Sequence, residues 1–104
     1  MSASLSTHVL DTARGRPAAG VAVEVLRGDA PVAAAETDDD GRIRSLVPAP
    51  LEPGVYRLVF DTDTYTAEPG FYPEIAIVFR ITEERHYHVP VLLSPFAYST
   101  YRGS

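Results

Sequence analysis

The 104 residues contain no cysteine, which excludes a disulfide framework, a thiolate metal site and a thiol nucleophile. Positive charge is scarce as well: nine Lys+Arg stand against fourteen Asp+Glu, a net charge of −5. The chain therefore offers no basic field to a phosphate backbone, and nucleic acid is not an expected partner. No apolar run approaches the roughly 20 residues that a bilayer-spanning helix needs, so a membrane is not expected either. The first residues, MSASLSTHVL, carry neither a basic leader nor a long apolar stretch and do not read as a secretory signal. There is no Ser-Lys-Leu ending, and the cytoplasm is the expected compartment. Gly-rich phosphate loops and the Gly-x-Ser-x-Gly elbow are missing, which argues against nucleotide hydrolysis and the common serine hydrolases. Helical stripes are largely absent.

What is present is period-two alternation in short segments, separated by Gly, Pro and Asp clusters. The pattern predicts strands near Leu5–Leu10, Val21–Arg27, Val32–Glu36, Ile43–Leu46, Tyr56–Asp61, Glu74–Thr82, Tyr87–Ser94 and Ala97–Tyr101. Connectors lie at Gly15 and Pro17, Asp38 to Gly41, Pro48 to Gly54, Pro69-Gly70 and Ser94-Pro95. Asp61–Ala67 (DTDTYTA) has an Asp cap and is expected to form one short helix. About eight short strands in one chain of this length imply an all-β sandwich or barrel, built as a single domain over 1–104.

Alternation also assigns faces. Tyr87, Val89, Val91 and Leu93 point to the core, so His86, His88, Pro90 and Leu92 face outward together. In the first strand Thr7 and Val9 share one side, and Ser6, His8 and Leu10 the other. An outer face of imidazole, proline and leucine is neither core nor ordinary solvated surface, which suggests a face covered by another subunit or by a ligand. The sequence then ends in Tyr-Arg-Gly-Ser, bringing a tyrosine and an arginine to the same region.

Each candidate has a structural alternative. A lone strand histidine is more often a satisfied surface or interface residue than a catalyst, and His86, just after Glu83-Glu84-Arg85, sits near a solvated strand end. His86, His88 and His8 could chelate zinc, but the two-residue spacing carries no acidic or thiol ligand beside it. Zinc is expected as accident or inhibition, and no cofactor is expected. Arg42 follows an acidic triplet and a glycine, where a surface ion pair worth under about 1 kcal/mol is the plain alternative. The same DDDGR lacks the remaining ligands of a calcium loop.

Six segments, LSTHVLDT, GRPAAGV, DDGR, GVYRLVF, FYPEIAIVF and HYHVPVLLSPFAYSTYRGS, resemble the transthyretin-like proteins across essentially the whole chain. The two histidine-bearing ends and the closing YRGS resemble their hydrolase branch, the 5-hydroxyisourate hydrolases, rather than the hormone carriers. Ala97 stands where the family often has glycine, an exchange without cost where φ is negative. The resemblance implies a two-sheet antiparallel sandwich that pairs into dimers and then a homotetramer, with active sites in a channel at the dimer–dimer interface. It implies functional positions at His8, Arg42, His88 and Tyr101-Arg102-Gly103-Ser104, with 5-hydroxyisourate as the substrate.

The expected chemistry is ring opening by water at an activated amide. An imidazole with a pKa near 6.5 supplies the base, and a permanently charged guanidinium steadies the oxyanion. His88 is the preferred base, and His8 contacts the substrate and relays a proton. Arg42 holds the charge, Tyr101 and Arg102 grip the substrate, and the Ser104 hydroxyl or carboxylate poises an imidazole. The order of roles between the two histidines stays open. The alternatives are a small-molecule carrier using the same intersubunit channel and, more weakly, a structural sandwich module.

Overall fold

A computed structural model describes residues 3–47, 50–66 and 70–103. Among these residues nine strands follow one another: β1 (Ser4–Asp11), β2 (Arg16–Pro17), β3 (Ala22–Arg27), β4 (Ala30–Glu36), β5 (Arg42–Ile43), β6 (Gly54–Asp61), β7 (Glu74–Ile81), β8 (His86–Leu93) and β9 (Tyr98–Thr100). One sheet has the order β4-β3-β6-β7, and the other has β2-β1-β8-β9 with β5 also on β1. The two sheets face each other across a single apolar layer, so the expected all-β sandwich is the fold.

The core is what alternation dictates. Tyr56, Leu58 and Phe60 of β6 are at most 2% exposed, and Leu5, Val9, Val23, Val25, Ile75 and Val91 close around them. Each such side chain contributes roughly 1.5–3 kcal/mol by leaving water. Thr7, the one polar residue on the inward face of β1 between Leu5 and Val9, donates its hydroxyl to the Val89 carbonyl at 2.7 Å. The donor is thereby satisfied inside the layer, and β1 is locked to β8.

Three local features depart from expectation. The β1–β8 pair is parallel, matching Ser4 to His86, Ser6 to His88 and His8 to Pro90, while the other strand pairs among the described residues are antiparallel. Two strands joined by most of the chain can pair in either sense, because no tight hairpin dictates their direction. The short helix expected over 61–67 is a turn through residues 63–65. The Asp61 carboxylate accepts the Thr64 amide at 3.2 Å, and the Thr-Asp-Thr-Tyr-Thr run has low helix propensity; Ala67 lies outside the described residues.

The strand expected over Ile43–Leu46 is only Arg42–Ile43. The chain bends at Arg44, and Leu46 rejoins β1 through one bond from its amide to the Leu5 carbonyl at 2.9 Å. Of the expected connectors, residues 48, 49 and 69 lie outside the described set. Ala97 has no positive φ, consistent with alanine standing there.

Candidate active site

Strand register brings three expected residues together. His8 stands opposite Arg42 in the β1–β5 pair, and His88 stands opposite Ser6 in the β1–β8 pair. Because β1 lies between β5 and β8, one outer face carries Arg42, His8 and His88. The alternation of β8 holds at the histidines, with His86 exposed and His88 half-buried, while Pro90 is buried.

The Asp38–Arg42 turn aims the guanidinium strand. Asp38 Oδ1 accepts the amides of Asp40 and Arg42, both at 2.9 Å, and the Arg42 amide holds the Asp38 carboxyl below its ordinary range. Gly41 has φ +74°, and a Cβ there would run into the Val9 carbonyl. Only glycine lets the turn press so closely on β1, where the Val9 amide donates to the Gly41 carbonyl at 2.7 Å. The same turn delivers the Asp40 carbonyl to His8, whose Nε2–H donates to it at 3.0 Å. That bond leaves His8 Nδ1 as the unprotonated nitrogen of the neutral ring.

His88 is held from two sides. Its Nδ1 is 2.7 Å from Ser6 Oγ, and the Gly103 amide donates to its backbone carbonyl at 2.8 Å. Nε2 is thereby the nitrogen available to a reactant. Burial lowers the pKa of both His8 and His88, and the charge of Arg42 lowers each further. For His8 the Asp40 carbonyl and the Asp38 and Asp40 charges pull partly the other way. For His88 the other two imidazoles add to the lowering. Both shifts favour the neutral ring, the form a general base requires.

An open hollow of about 280 Å³ is lined by Ser6, Arg42, Arg44, His86 and His88. A larger one, about 490 Å³, lies at the corner of Asp11, Tyr72 and Phe96. Its buried carboxylate, Asp11, already accepts the Tyr65 hydroxyl at 2.9 Å and the Arg14 amide at 3.1 Å, so this carboxylate is engaged within the protomer. Among the described residues no group of three or more His, Asp or Glu could hold a metal ion.

Tyr101 and Arg102 are not in the hollow. Both are exposed in the protomer, Tyr101 by 59%, although the chain that carries them passes beside His88. Ser104 lies outside the described residues. Sequence reasoning placed Ser6 on the His8 face but gave neither it nor Ser4 a role. The signal was the alternation Ser4, Ser6, His8, which becomes informative only once β8 is known to be the neighbour.

The chain is similar to known proteins over nearly its whole length. The HIUase/Transthyretin family model matches residues 5–103. The chain is 46% identical to mouse 5-hydroxyisourate hydrolase, covering 99% of this chain and 97% of that protein. It is 43% identical to the 5-hydroxyisourate hydrolase of Deinococcus radiodurans, covering 96% and 95%. The solved structure of Klebsiella pneumoniae 5-hydroxyisourate hydrolase superimposes with a TM-score of 0.93 at 40% identity, covering all of both chains.

Proposed function

The chain belongs to the HIUase/transthyretin family, and from that membership we propose that it hydrolyses 5-hydroxyisourate in urate degradation. The product is 2-oxo-4-hydroxy-4-carboxy-5-ureidoimidazoline. The observation that carries the reading is the meeting of two imidazoles and a guanidinium on one outer face, fixed by the pairing of β1 with β5 and β8. A carrier has no use for a base beside a fixed charge.

His88 Nε2 takes a proton from water as the oxygen attacks the ring carbonyl. The oxyanion forms against the Arg42 guanidinium, an interaction of the kind worth about 10²–10³-fold in rate. The ring C–N bond then breaks, and the leaving nitrogen receives the proton of His88 Nε2 by way of His8 Nδ1, with His8 a transient imidazolium that the Asp40 carbonyl and the Asp38 and Asp40 charges favour. The carboxylic acid so formed ionises in water.

The active assembly is a homotetramer, a dimer of dimers, with the substrate channel between dimers. Supporting this, β7 and β9 each pair on one side only, and β7 presents Val78 at 66% exposure, which leaves edges suited to strand pairing between copies. In that assembly Tyr101 and Arg102 grip the substrate and the Ser104 hydroxyl or carboxylate poises an imidazole. The reaction needs no cofactor, and the protein works in the cytoplasm, a compartment consistent with a chain free of cysteine.

The test is to generate 5-hydroxyisourate with urate oxidase and follow its ultraviolet absorbance. Catalytic amounts of the protein should speed the decay. Binding without faster decay would make it a carrier.

A further inference from the structure

Hydroxyls of β1 and imidazoles of β8 alternate along one line. Ser4 Oγ is 2.6 Å from His86 Nδ1, Ser6 Oγ is 2.7 Å from His86 Nε2, and the same Ser6 Oγ is 2.7 Å from His88 Nδ1. The parallel register produces this, because it sets Ser4 opposite His86 and Ser6 opposite His88. Ser6, in the middle, is 7% exposed, whereas Ser4 opens to solvent.

A neutral imidazole has one N–H and one lone pair, and a hydroxyl has one hydrogen. With all three contacts made, only two neutral arrangements exist. In one, His88 Nδ1–H donates to Ser6, Ser6 donates to His86 Nε2, and His86 Nδ1–H donates to Ser4, so that His88 Nε2 is bare. In the other every bond is reversed, and His88 Nε2 carries the hydrogen. The tautomers of the two histidines are therefore locked together.

We infer that Ser4, His86 and Ser6 are positioning residues forming a proton relay for His88, which lets it alternate between base and acid without holding net charge beside Arg42. The inference rests on the reaction proposed above. When His88 Nε2 takes a proton from the attacking water, the Nδ1 proton passes to Ser6, that of Ser6 passes to His86 Nε2, that of His86 Nδ1 passes to Ser4, and Ser4 releases one to solvent. When the His88 Nε2 proton goes on through His8 to the leaving ring nitrogen, Ser4 takes one from solvent and the line returns to its first arrangement. Water's oxygen is then in the new carboxyl group, one proton is on the leaving nitrogen, and the second leaves as the acid ionises.

The surroundings give such a line a purpose. The groups that face His88 are Arg42 from β5, His8 from β1 and His86 from its own strand, with Arg44 lining the same hollow. Among the described residues none of these is an anion. A full imidazolium there would be poorly tolerated, and moving the charge out to Ser4 avoids forming one.

Glutamine at 86 separates a relay from a fixed bridge, because its amide can donate and accept but cannot pass a proton through. His86→Gln should lower kcat about tenfold or more with KM within about threefold. In mixtures of light and heavy water the unaltered enzyme should give a bowed dependence of kcat, and His86→Gln a linear one. Ser6→Ala should lose kcat similarly and Ser6→Thr should recover it. Unchanged kcat in His86→Gln, a loss that leaves the bowed dependence in place, or a loss matched by KM would overturn the relay. Nitrogen-15 NMR of the resting protein reads the line without turnover: both His86 and His88 should be Nδ1–H tautomers, and any other combination overturns it. If the unaltered protein fails to hydrolyse 5-hydroxyisourate, the reaction assignment falls, whatever the tautomers are.

Discussion

Gly103 lies directly on the ring of His88. A Cβ at 103 would sit 2.7 Å from His88 Cδ2 and 3.1 Å from its Cβ, and the Gly103 amide is bonded to the His88 carbonyl at 2.8 Å. Gly103 is thus a backbone clamp on His88, the base of the proposed reaction. Gly103→Ala must displace either the tail or the imidazole. Its kcat for 5-hydroxyisourate should fall about tenfold or more, with little change in Tm because the tail is peripheral. A kcat equal to that of the unaltered protein would show that the clamp does not set the ring.

Gly41 makes the corresponding contact on the other side of the site. Gly41→Ala meets both an unfavourable positive φ and the Val9 carbonyl. The first alone costs about 1–2 kcal/mol, so thermal unfolding should show Tm lowered by about 5 °C or more. Activity should fall too, since Arg42 and the Asp40 carbonyl both hang on this turn. An unshifted Tm would mean the turn relaxes without strain.

The pH profile has a definite sign. His8 and His88 are lowered from the ordinary 6.5 by burial and by Arg42. A base is competent above its pKa, so the acid limb of kcat/KM should lie below 6.5 and activity should persist into mildly acid buffer. Arg42→Met removes one lowering cause from both rings. The residual activity should then show its acid limb moved upward, toward 6.5, in a titration from about pH 5 to 8. A limb that moved down would break the link between Arg42 and the imidazoles.

Assembly can be weighed directly. Light scattering should give four times the mass of one chain. Val78→Glu places a charge on the exposed edge of β7 and should lower both the mass and the specific activity. Full activity in a monomer would contradict a channel shared between subunits.

Much of this was legible in the residues. Tyr87, Val89, Val91 and Leu93 alternate so strictly that the core face of β8, and hence the outward turn of His86 and His88, follows from order alone. Arg16–Pro17 was not readable as a strand, because two residues, one lacking an amide hydrogen, leave no periodic trace. The roles of Ser4 and Ser6 were hidden for another reason: they depend on a parallel pairing across some eighty residues, which no local pattern encodes. Tyr101 and Arg102 were read as part of the pocket, yet in the protomer only the backbone of their neighbour Gly103 touches His88.

The most direct measurement is kcat on freshly generated 5-hydroxyisourate for His88→Ala and His8→Ala beside the unaltered protein. General acid–base catalysis contributes about 10²–10⁴-fold, and each variant should lose rate in that range while keeping its fold. A loss under about tenfold for both would contradict the assignment of this histidine face as the catalytic centre.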